Sequence, residues 1–223
     1  MALKGFTEED LFRHHAVIMD DDFFVVSDNG EAWLSEVVGV TDESCDKPIT
    51  ALDVLKNKQM QYLSEGCTAA IFVPLFGLKG NFEGLSIRKM SDSKHDSWFA
   101  PGSRKIDMIY NLNEAFEQCA RKNSIILTEG CYDTIALCKY GITNSGALLG
   151  TNMSNLQFFM LYSMVDNIAL CLDNDEAGHK AVSKIVNAYK DKMTFYTVNI
   201  DTDPDEFLKA HGVDEFRRRI VKL

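Results

Sequence analysis

The sequence lacks a long hydrophobic run, paired cysteines and an excess of positive charge. No apolar stretch approaches the roughly 20 residues that a membrane-spanning helix needs, and no secretory signal pattern opens the chain. None of the six cysteines forms a Cys-x-x-Cys pair, and no histidine lies at zinc-ligand spacing from one. These absences predict a cytoplasmic protein with reduced, mostly buried thiols, no zinc site and no membrane partner.

The scarcity of positive charge limits the kind of partner that the chain can bind. Its 223 residues carry 23 Lys and Arg against 33 Asp and Glu, a formal net charge of −10. A chain this acidic does not coat nucleic acid through non-specific phosphate contacts. When the chain is divided into residues 1–70, 71–125 and 126–223, only the segment 71–125 holds more basic than acidic residues. Nucleic-acid contact is therefore expected to be weak and local. Length and hydrophobic content allow one large or two small globular domains.

Two short aliphatic runs in the C-terminal half each stop at carboxylates. Residues 125–128 are followed by Glu129, and residues 167–172 are followed by Asp173. Each run is bounded by a glycine and followed by a helical pattern, which is typical of a buried parallel strand. Ligands of open α/β sheets bind where such strands end. These carboxylates are therefore predicted to lie at a ligand site.

Further carboxylates lie within a few residues of these two positions. Asp133 comes one helical turn after Glu129, and Asp175 comes two residues after Asp173. Carboxylates that lie this close repel one another unless a cation neutralises them. Oxygen donors favour Mg²⁺ or Mn²⁺ over zinc. The alternative is that Asp175 only caps the helix that starts near Glu176.

The C-terminal half alternates strand and helix patterns. Predicted strands cover 124–129, 144–148, 167–173 and 193–199, and predicted helices cover 131–140, 154–164 and 176–190. A further helix is expected over 204–211, with Pro204 at its N1 position, and a last helix over 214–223. With right-handed crossovers, this order predicts a parallel sheet with helices on both faces.

The N-terminal half has a mixed α and β pattern. The predicted elements are a helix over 7–15 capped by Thr7, strands over 17–19, 23–26 and 32–40, a helix over 50–63, and a hairpin of 69–76 and 82–90. Asp20-Asp21-Asp22 is interpreted as a solvated turn in preference to a metal site. The domain prediction is an α+β subdomain over 1–122 and a second domain over 123–223.

Four motifs occur in a fixed order in the C-terminal half. They are Glu129-Gly130-Cys131-Tyr132-Asp133, Gly146 to Thr151, Asp173 to Ala181, and Asp203-Pro204-Asp205-Glu206. Together they resemble the Toprim domain of the DNA primases of bacteria (DnaG type) and of tailed phages. The hairpin with Pro74 and Arg88, and the segment 98–105, resemble more loosely the part that precedes Toprim in these enzymes. The ordered set is a specific signal, whereas each motif alone would be weak.

The resemblance implies a fold and a reaction. The fold would be α/β, a Rossmann-like Toprim sheet preceded by a mixed α+β subdomain. The activity would be that of a primase-type DNA-directed RNA polymerase, which makes short RNA primers on a template by metal-dependent nucleotidyl transfer during DNA replication. The implied catalytic residues are Glu129, Asp133, Asp173 and Asp175, and the implied metal ligands are Glu129, Asp173, Asp175, Asp203 and Asp205. Alternatively, Asp203 and Asp205 only form a helix-capping turn.

The basic residues of the middle segment are the candidates for phosphate contacts. Triphosphate and template need cations, and the residues available are Arg88, Lys89, Arg104 and Lys105. For Lys89, ordinary surface charge is an equal alternative. The implied cofactor is Mg²⁺ or Mn²⁺. The implied partners are a single-stranded DNA template, ribonucleoside triphosphates, a replicative helicase, and a separate zinc-binding or template-recognition module.

The sequence departs from these primases at one point. They carry an N-terminal zinc ribbon, and its ligand spacing is missing here. Either the ribbon lies on another polypeptide, or it was removed from a longer chain, or this protein does not select start sites itself. A phage origin fits this departure, and the location would then be the host cytoplasm.

Two other functions stay open at this point. A Toprim-type metal-dependent nuclease would use the same carboxylates, but it would not need the basic segment. A non-catalytic Toprim binding subunit would have no reason to keep costly carboxylates.

Overall fold

The computed structural model describes residues 6–20, 69–89, 97–99 and 103–223. The chain forms two compact units that divide between Arg104 and Lys105. The helix Leu112–Lys122 belongs to the second unit, where its apolar face packs on the parallel sheet. The division of the chain into domains at 122/123 stays a prediction. The predicted elements over 23–26, 32–40 and 50–63, and most of the Asp triplet, lie outside the described residues.

The first unit contains a short helix and an antiparallel sheet. Its elements are α1 (Glu8–Phe12), β1 (Val17–Asp20), β2 (Ala69–Phe76), β3 (Phe82–Lys89) and β4 (Ser97–Phe99), and the sheet order is β1-β2-β3-β4. The predicted hairpin of β2 and β3 is confirmed. Thr7 caps α1, since its hydroxyl accepts from the Asp10 N–H at 3.1 Å. The helix ends at Phe12, earlier than predicted.

The second unit contains a five-stranded sheet. Its strands are β5 (Ser124–Thr128), β6 (Ser145–Ala147), β7 (Asn167–Cys171), β8 (Thr194–Val198) and β9 (Ile220–Lys222). Their order in the sheet is β6-β5-β7-β8-β9. Its α-helices are α2 (Leu112–Lys122), α3 (Cys131–Lys139), α4 (Asn155–Tyr162), α5 (Glu176–Tyr189) and α6 (Pro204–Arg218), and a 3₁₀ turn covers Lys105–Asp107. Strands β5 to β8 are parallel. The predicted α/β fold is confirmed.

Both faces of the parallel sheet are buried. Along β5, Ile125 and Leu127 join the core beneath α2, α4 and α5, whereas Ile126 joins the core beneath α3 and α6. Successive side chains of a strand point to opposite faces, so a continuous aliphatic run fills both cores. This double burial explains why the runs at 125–128 and 167–171 read as strands in the sequence.

The last predicted helix is wrong in its second half. Helix α6 bends at Gly212, where φ is 76°, and ends at Arg218. Residues Ile220–Lys222 form β9, which pairs antiparallel with β8. The isoleucine and valine of this segment favour a strand, and the open edge of β8 supplies the partner that sequence periodicity does not show.

At the opposite edge of the sheet, Tyr110 forms a single antiparallel bridge to Ala147 of β6. The Tyr110 N–H donates to the Ala147 carbonyl at 3.0 Å, and the Ala147 N–H donates to the Tyr110 carbonyl at 3.2 Å. Gly146 makes this close approach possible, because a Cβ there would lie 2.9 Å from the Tyr110 carbonyl oxygen. The bridge ends the ladder on this side.

The cysteines of the second unit are free thiols, as predicted. Burial raises the pKa of the Cys119 thiol to about 12. No helix in the described ranges is long and apolar enough to cross a membrane.

Gly178, in the first turn of α5, packs directly against the backbone of Asp173. A Cβ placed on Gly178 would overlap the carbonyl oxygen of Asp173. That oxygen belongs to the backbone, so it cannot rotate away as a flexible side chain would. The glycine therefore sets how closely α5 approaches the end of β7.

We expect Gly178→Ala to lower the free energy of unfolding by about 1–3 kcal/mol, the usual cost of overpacking. Gly→Ala inside a helix normally stabilises by up to about 1 kcal/mol, so a loss has the opposite sign. Urea denaturation of the variant measures the change. Asn187→Ala, on the exposed side of the same helix, is the control and should not destabilise. Equal or greater stability of Gly178→Ala would contradict the packing argument.

Candidate active site

The carboxylates predicted from the sequence leave two neighbouring strands at the same edge of the sheet. Strands β5 and β7 are paired in parallel, with Thr128 opposite Cys171. Glu129 directly follows β5, and Asp173 follows β7 by two residues. Because both strands run in the same direction, both carboxylates lie at their carboxyl ends, as expected for a ligand site in this fold.

Three of the predicted catalytic carboxylates, Glu129, Asp173 and Asp175, are electrostatically coupled, and Asp133 lies near the end of β7. Partial burial raises the pKa of Glu129, and the negative charges of Asp173 and Asp175 raise it further. Burial also raises the pKa of the Cys171 thiol, with smaller contributions from Asp133 and Asp173. Glu129 is therefore coupled to Asp173 and Asp175, and Asp133 acts on the last residue of β7, beside them in the chain.

Two buried hydroxyls hold the turn that carries Glu129. Thr128 Oγ1 donates to the Gly130 carbonyl at 2.9 Å and lies 2.7 Å from Thr134 Oγ1. Thr128 has one hydroxyl hydrogen, so in this arrangement Thr134 donates to Thr128. Both side chains are fully buried. They fix the end of β5 against α3, which positions Glu129 and Asp133. The sequence analysis did not identify this pair.

Asp175 caps α5, as the alternative interpretation stated. Its Oδ1 accepts a hydrogen bond from the Gly178 N–H at 2.8 Å. A carboxylate has two oxygens, so the cap does not exclude a cation at the other oxygen. The cap instead orients the side chain beside Asp173.

The third acidic motif has structural partners of its own. Asp203 caps α6, because its Oδ1 accepts from the Glu206 N–H at 2.9 Å. Asp205 Oδ1 lies 3.0 Å from the Lys139 Nζ on α3, and the side chains of Lys139 and Asp205 are 19% and 14% exposed. This ion pair joins residues 66 positions apart in the chain, so local spacing gave no sign of it. The metal role of Asp203 and Asp205 stays a prediction.

The donor set suits a divalent cation. Carboxylate oxygens are the ligands that Mg²⁺ and Mn²⁺ prefer, and the charges that raise the pKa of Glu129 would attract a cation. Among the residues that the structure describes, no three His, Cys, Asp or Glu side chains are already grouped as a metal site. Which oxygens would bind the ion follows from chemistry and motif, not from a formed site.

The predicted phosphate-binding residues are divided between the two units. Arg88, Lys89 and Arg104 belong to the first unit, whereas Lys105 belongs to the second, with the carboxylates. Arg104 Nε lies 3.9 Å from Glu83 Oε2, and the Arg104 side chain is 57% exposed. Lys105 opens the 3₁₀ turn. The roles of all four residues stay predictions.

Gln157 ties the segment after Lys105 to the sheet, and the sequence analysis did not identify it. Its buried amide nitrogen donates to the Met108 carbonyl at 2.7 Å and to the Leu148 carbonyl at 3.1 Å. Its Oε1 accepts from the Ser154 N–H at 2.8 Å, completing a capping box for α4. The spacing Ser154-x-x-Gln157 was a readable signal for the cap, but not for the two longer bonds.

Comparison with known proteins gives one family and a consistent set of relatives. A family described as Toprim-like matches residues 126–208. A DNA primase of Rickettsia conorii is 30% identical over 158 residues, which are 68% of this chain and 26% of the relative. A DNA primase of Pseudomonas aeruginosa is 32% identical over 161 residues, which are 68% of this chain and 24% of that relative. The chain thus spans about a quarter of the length of these relatives.

Solved structures share the fold. A DNA primase domain from Pseudomonas aeruginosa superimposes with a TM-score of 0.68 at 21% identity, covering 100% of this chain and 71% of that one. A DnaG primase catalytic domain bound to single-stranded DNA gives a TM-score of 0.67 at 19% identity. The superposition covers 98% of this chain and 69% of that one. Fold, family match and sequence similarity agree: residues 126–208 match a Toprim-like family, and about two thirds of the chain is similar in sequence to bacterial DNA primases.

Proposed function

We propose that this chain is the catalytic core of a DNA primase, which joins ribonucleotides into short RNA primers on a single-stranded DNA template. The observation that carries the proposal is the cluster of Glu129, Asp133, Asp173 and Asp175 at the ends of two adjacent strands, in a chain homologous to primases. Such a cluster is costly in charge, and nucleotidyl transfer is a reaction that uses it.

The roles of the acidic residues follow from their surroundings. Glu129, Asp173 and Asp175 would hold Mg²⁺ or Mn²⁺, with Asp133 beside them. When bound, the cation offsets the charge that develops on the triphosphate and on the attacking 3′-hydroxyl. Alternatively, Glu129 would not bind the cation and would act as the acid or base near that hydroxyl, a role that its raised pKa suits. Asp203 and Asp205 are further candidate ligands that already have protein partners.

The basic residues would supply the phosphate contacts. All four candidates, Arg88, Lys89, Arg104 and Lys105, precede the acidic motifs in the sequence. Arg side chains can bind phosphate oxygens with two hydrogen bonds. A helicase and a zinc-binding module would be separate partners, and the protein would act in the cytoplasm. The nuclease alternative uses the same carboxylates, and a binding subunit would use none, so one assay separates the three.

The variants Glu129→Gln and Asp173→Asn test the role of the acidic cluster. Each removes one charge from the cluster with little change in size. Transition-state charge stabilisation by a metal site is worth several kcal/mol, so primer synthesis should fall by about 100-fold or more. The measurement is the yield of labelled oligoribonucleotides from single-stranded template, four ribonucleotides and Mn²⁺, with and without an added helicase.

The matched control is Asp191→Asn, which removes the same charge from an exposed residue in the turn before β8. It should keep wild-type yield. Shortening of the template instead of primer synthesis would assign the nuclease. Full activity in folded Asp173→Asn would refute the metal role.

The pKa of Glu129, which is raised from its ordinary value of 4.5, predicts how protein stability depends on pH. A folded carboxyl with a raised pKa holds its proton over a pH range in which the unfolded chain has lost it. Its stabilising contribution is therefore complete below about pH 4.5 and is lost as the pH rises through the folded pKa. In EDTA at pH 7, Glu129→Gln should therefore melt at a higher temperature than wild type.

Saturating Mn²⁺ should reverse this order at pH 7, because a ligand that binds only the folded state raises its melting temperature. Thermal melts at pH 4.5 and pH 7, with EDTA or Mn²⁺, test both signs. If the wild-type protein melts in EDTA at pH 7 at the same temperature as Glu129→Gln or at a higher one, the charge cluster does not destabilise the fold.

The Lys139–Asp205 ion pair is expected to limit cation binding at Asp205. Lys139 now neutralises Asp205, so Lys139→Gln leaves this carboxylate available to a divalent cation. We expect Mn²⁺ to bind the variant about three- to tenfold more tightly, as measured by electron paramagnetic resonance of free Mn²⁺. Lys180→Gln, which breaks an exposed pair with Glu176, is the charge-matched control.

The double variant Lys139→Gln/Asp205→Asn should return to wild-type affinity. If Asp205→Asn alone abolishes Mn²⁺ binding, Asp205 is a metal ligand despite its lysine, and the prediction for Lys139 fails.

A further inference from the structure

A cavity of about 450 Å³ opens at the other end of the parallel strands. Ser124 and Asn167, the first residues of β5 and β7, line it together with Asn144, which precedes β6. The acidic cluster leaves the opposite, carboxyl ends of β5 and β7. The cavity is therefore separate from the candidate active site. Its volume falls within the range of roughly 300–1,000 Å³ that is common for small-molecule sites.

The cavity combines an apolar floor with a polar rim. Floor residues come from the core between the sheet and the helices α3 and α6; they include Ile126, Ile142, Ala169 and Phe216. Rim residues are Lys122, Asn144, Asn167, Tyr196 and Arg217. A mainly apolar lining with a few converging polar groups is the usual composition of a ligand pocket.

The charge of the lining is opposite to that of the chain. Lys122 and Arg217 are its charged members, and no Asp or Glu belongs to this part of the described surface. The whole chain has 33 acidic against 23 basic residues. A cation-only lining in an acidic protein selects for an anion.

Hydrogen bonds hold the rim in place. Lys122 Nζ donates to Asn144 Oδ1 at 2.8 Å, and Asn144 Nδ2 donates to the Ser124 carbonyl at 3.1 Å. An ammonium has three donors, so Lys122 can still bind an anion. Tyr196 donates to Asn167 Oδ1 at 3.4 Å. Arg217 lies 3.5 Å from the exposed Asp214, a surface pair that competes weakly with a ligand.

We propose that this cavity binds a small organic anion with a flat, apolar body. The body would pack at Ile126, Ala169 and the partly exposed Tyr196, and the anionic group would meet Lys122 and Arg217. A nucleoside monophosphate and an aromatic carboxylate share this chemistry. The inference does not depend on the proposed polymerase activity, because it rests on residues of the opposite sheet edge.

The test uses the fluorescent probe 1-anilinonaphthalene-8-sulfonate, which has an apolar body with a flat naphthalene ring and one negative charge. We expect one probe molecule to bind each folded chain, and AMP or salicylate to displace it. Displacement by AMP alone assigns a nucleotide, by salicylate alone a carboxylate, and by both the shared chemistry. Displacement by neither overturns the proposal.

Two exposed cations of the rim have matched neighbours outside the lining. Lys122→Gln and Arg217→Gln should each weaken probe binding by roughly three- to fivefold, the size of one partly exposed ion pair. Arg121→Gln and Arg218→Gln remove the same charge one residue away and should leave the affinity within a factor of about two. Equal weakening by both sets would mean that net charge, not the cavity, attracts the probe.

Amide chemical shifts locate the probe independently. The proposal requires shifts at residues 122–126, 142–144 and 167–169. Shifts confined to 129–133 and 173–178 would place the probe at the acidic edge and overturn the cavity assignment, while leaving the polymerase proposal untouched.

Discussion

Repulsion among carboxylates is the constraint on which the rest of this structure depends. Glu129 and Asp173 are rooted in two strands whose backbones are paired, so their charges cannot separate without breaking the sheet. The Thr128–Thr134 hydroxyl pair and the Asp175 cap fix the turns that follow. Partial burial raises the pKa of Glu129, and the neighbouring charges of Asp173 and Asp175 raise it further. A divalent cation bound at that edge would remove this cost.

The parallel strands separate two kinds of chemistry by their direction. Their carboxyl ends carry the acidic cluster, and their amino ends border a cavity whose charged residues are basic. Burial of both sheet faces keeps this axis rigid, since Ile125 and Ile126 anchor β5 in two different cores. One scaffold thus keeps the acidic cluster and the basic residues of the cavity at opposite ends of the same strands.

Sequence was a good guide wherever local pattern and tertiary environment agree. The aliphatic runs of β5 and β7 predicted the strands because burial on both faces demands such runs. Contacts between distant residues could not be predicted: the ion pair of Lys139 and Asp205 spans 66 positions. The strand Ile220–Lys222 was missed for a similar reason, because its conformation is decided by pairing with β8, which is distant in the sequence. The capping role of Gln157 could be predicted from its spacing to Ser154, but its hydrogen bonds to the Met108 and Leu148 carbonyls could not.

The single bridge at Tyr110 has a consequence for behaviour at high concentration. An unpaired edge strand is a template on which a second molecule can add its own strand, which begins aggregation. Tyr110 already occupies the N–H and carbonyl of Ala147, and β6 is three residues long. Intermolecular β-addition at this side of the sheet is thereby blocked by one residue of the chain's own backbone.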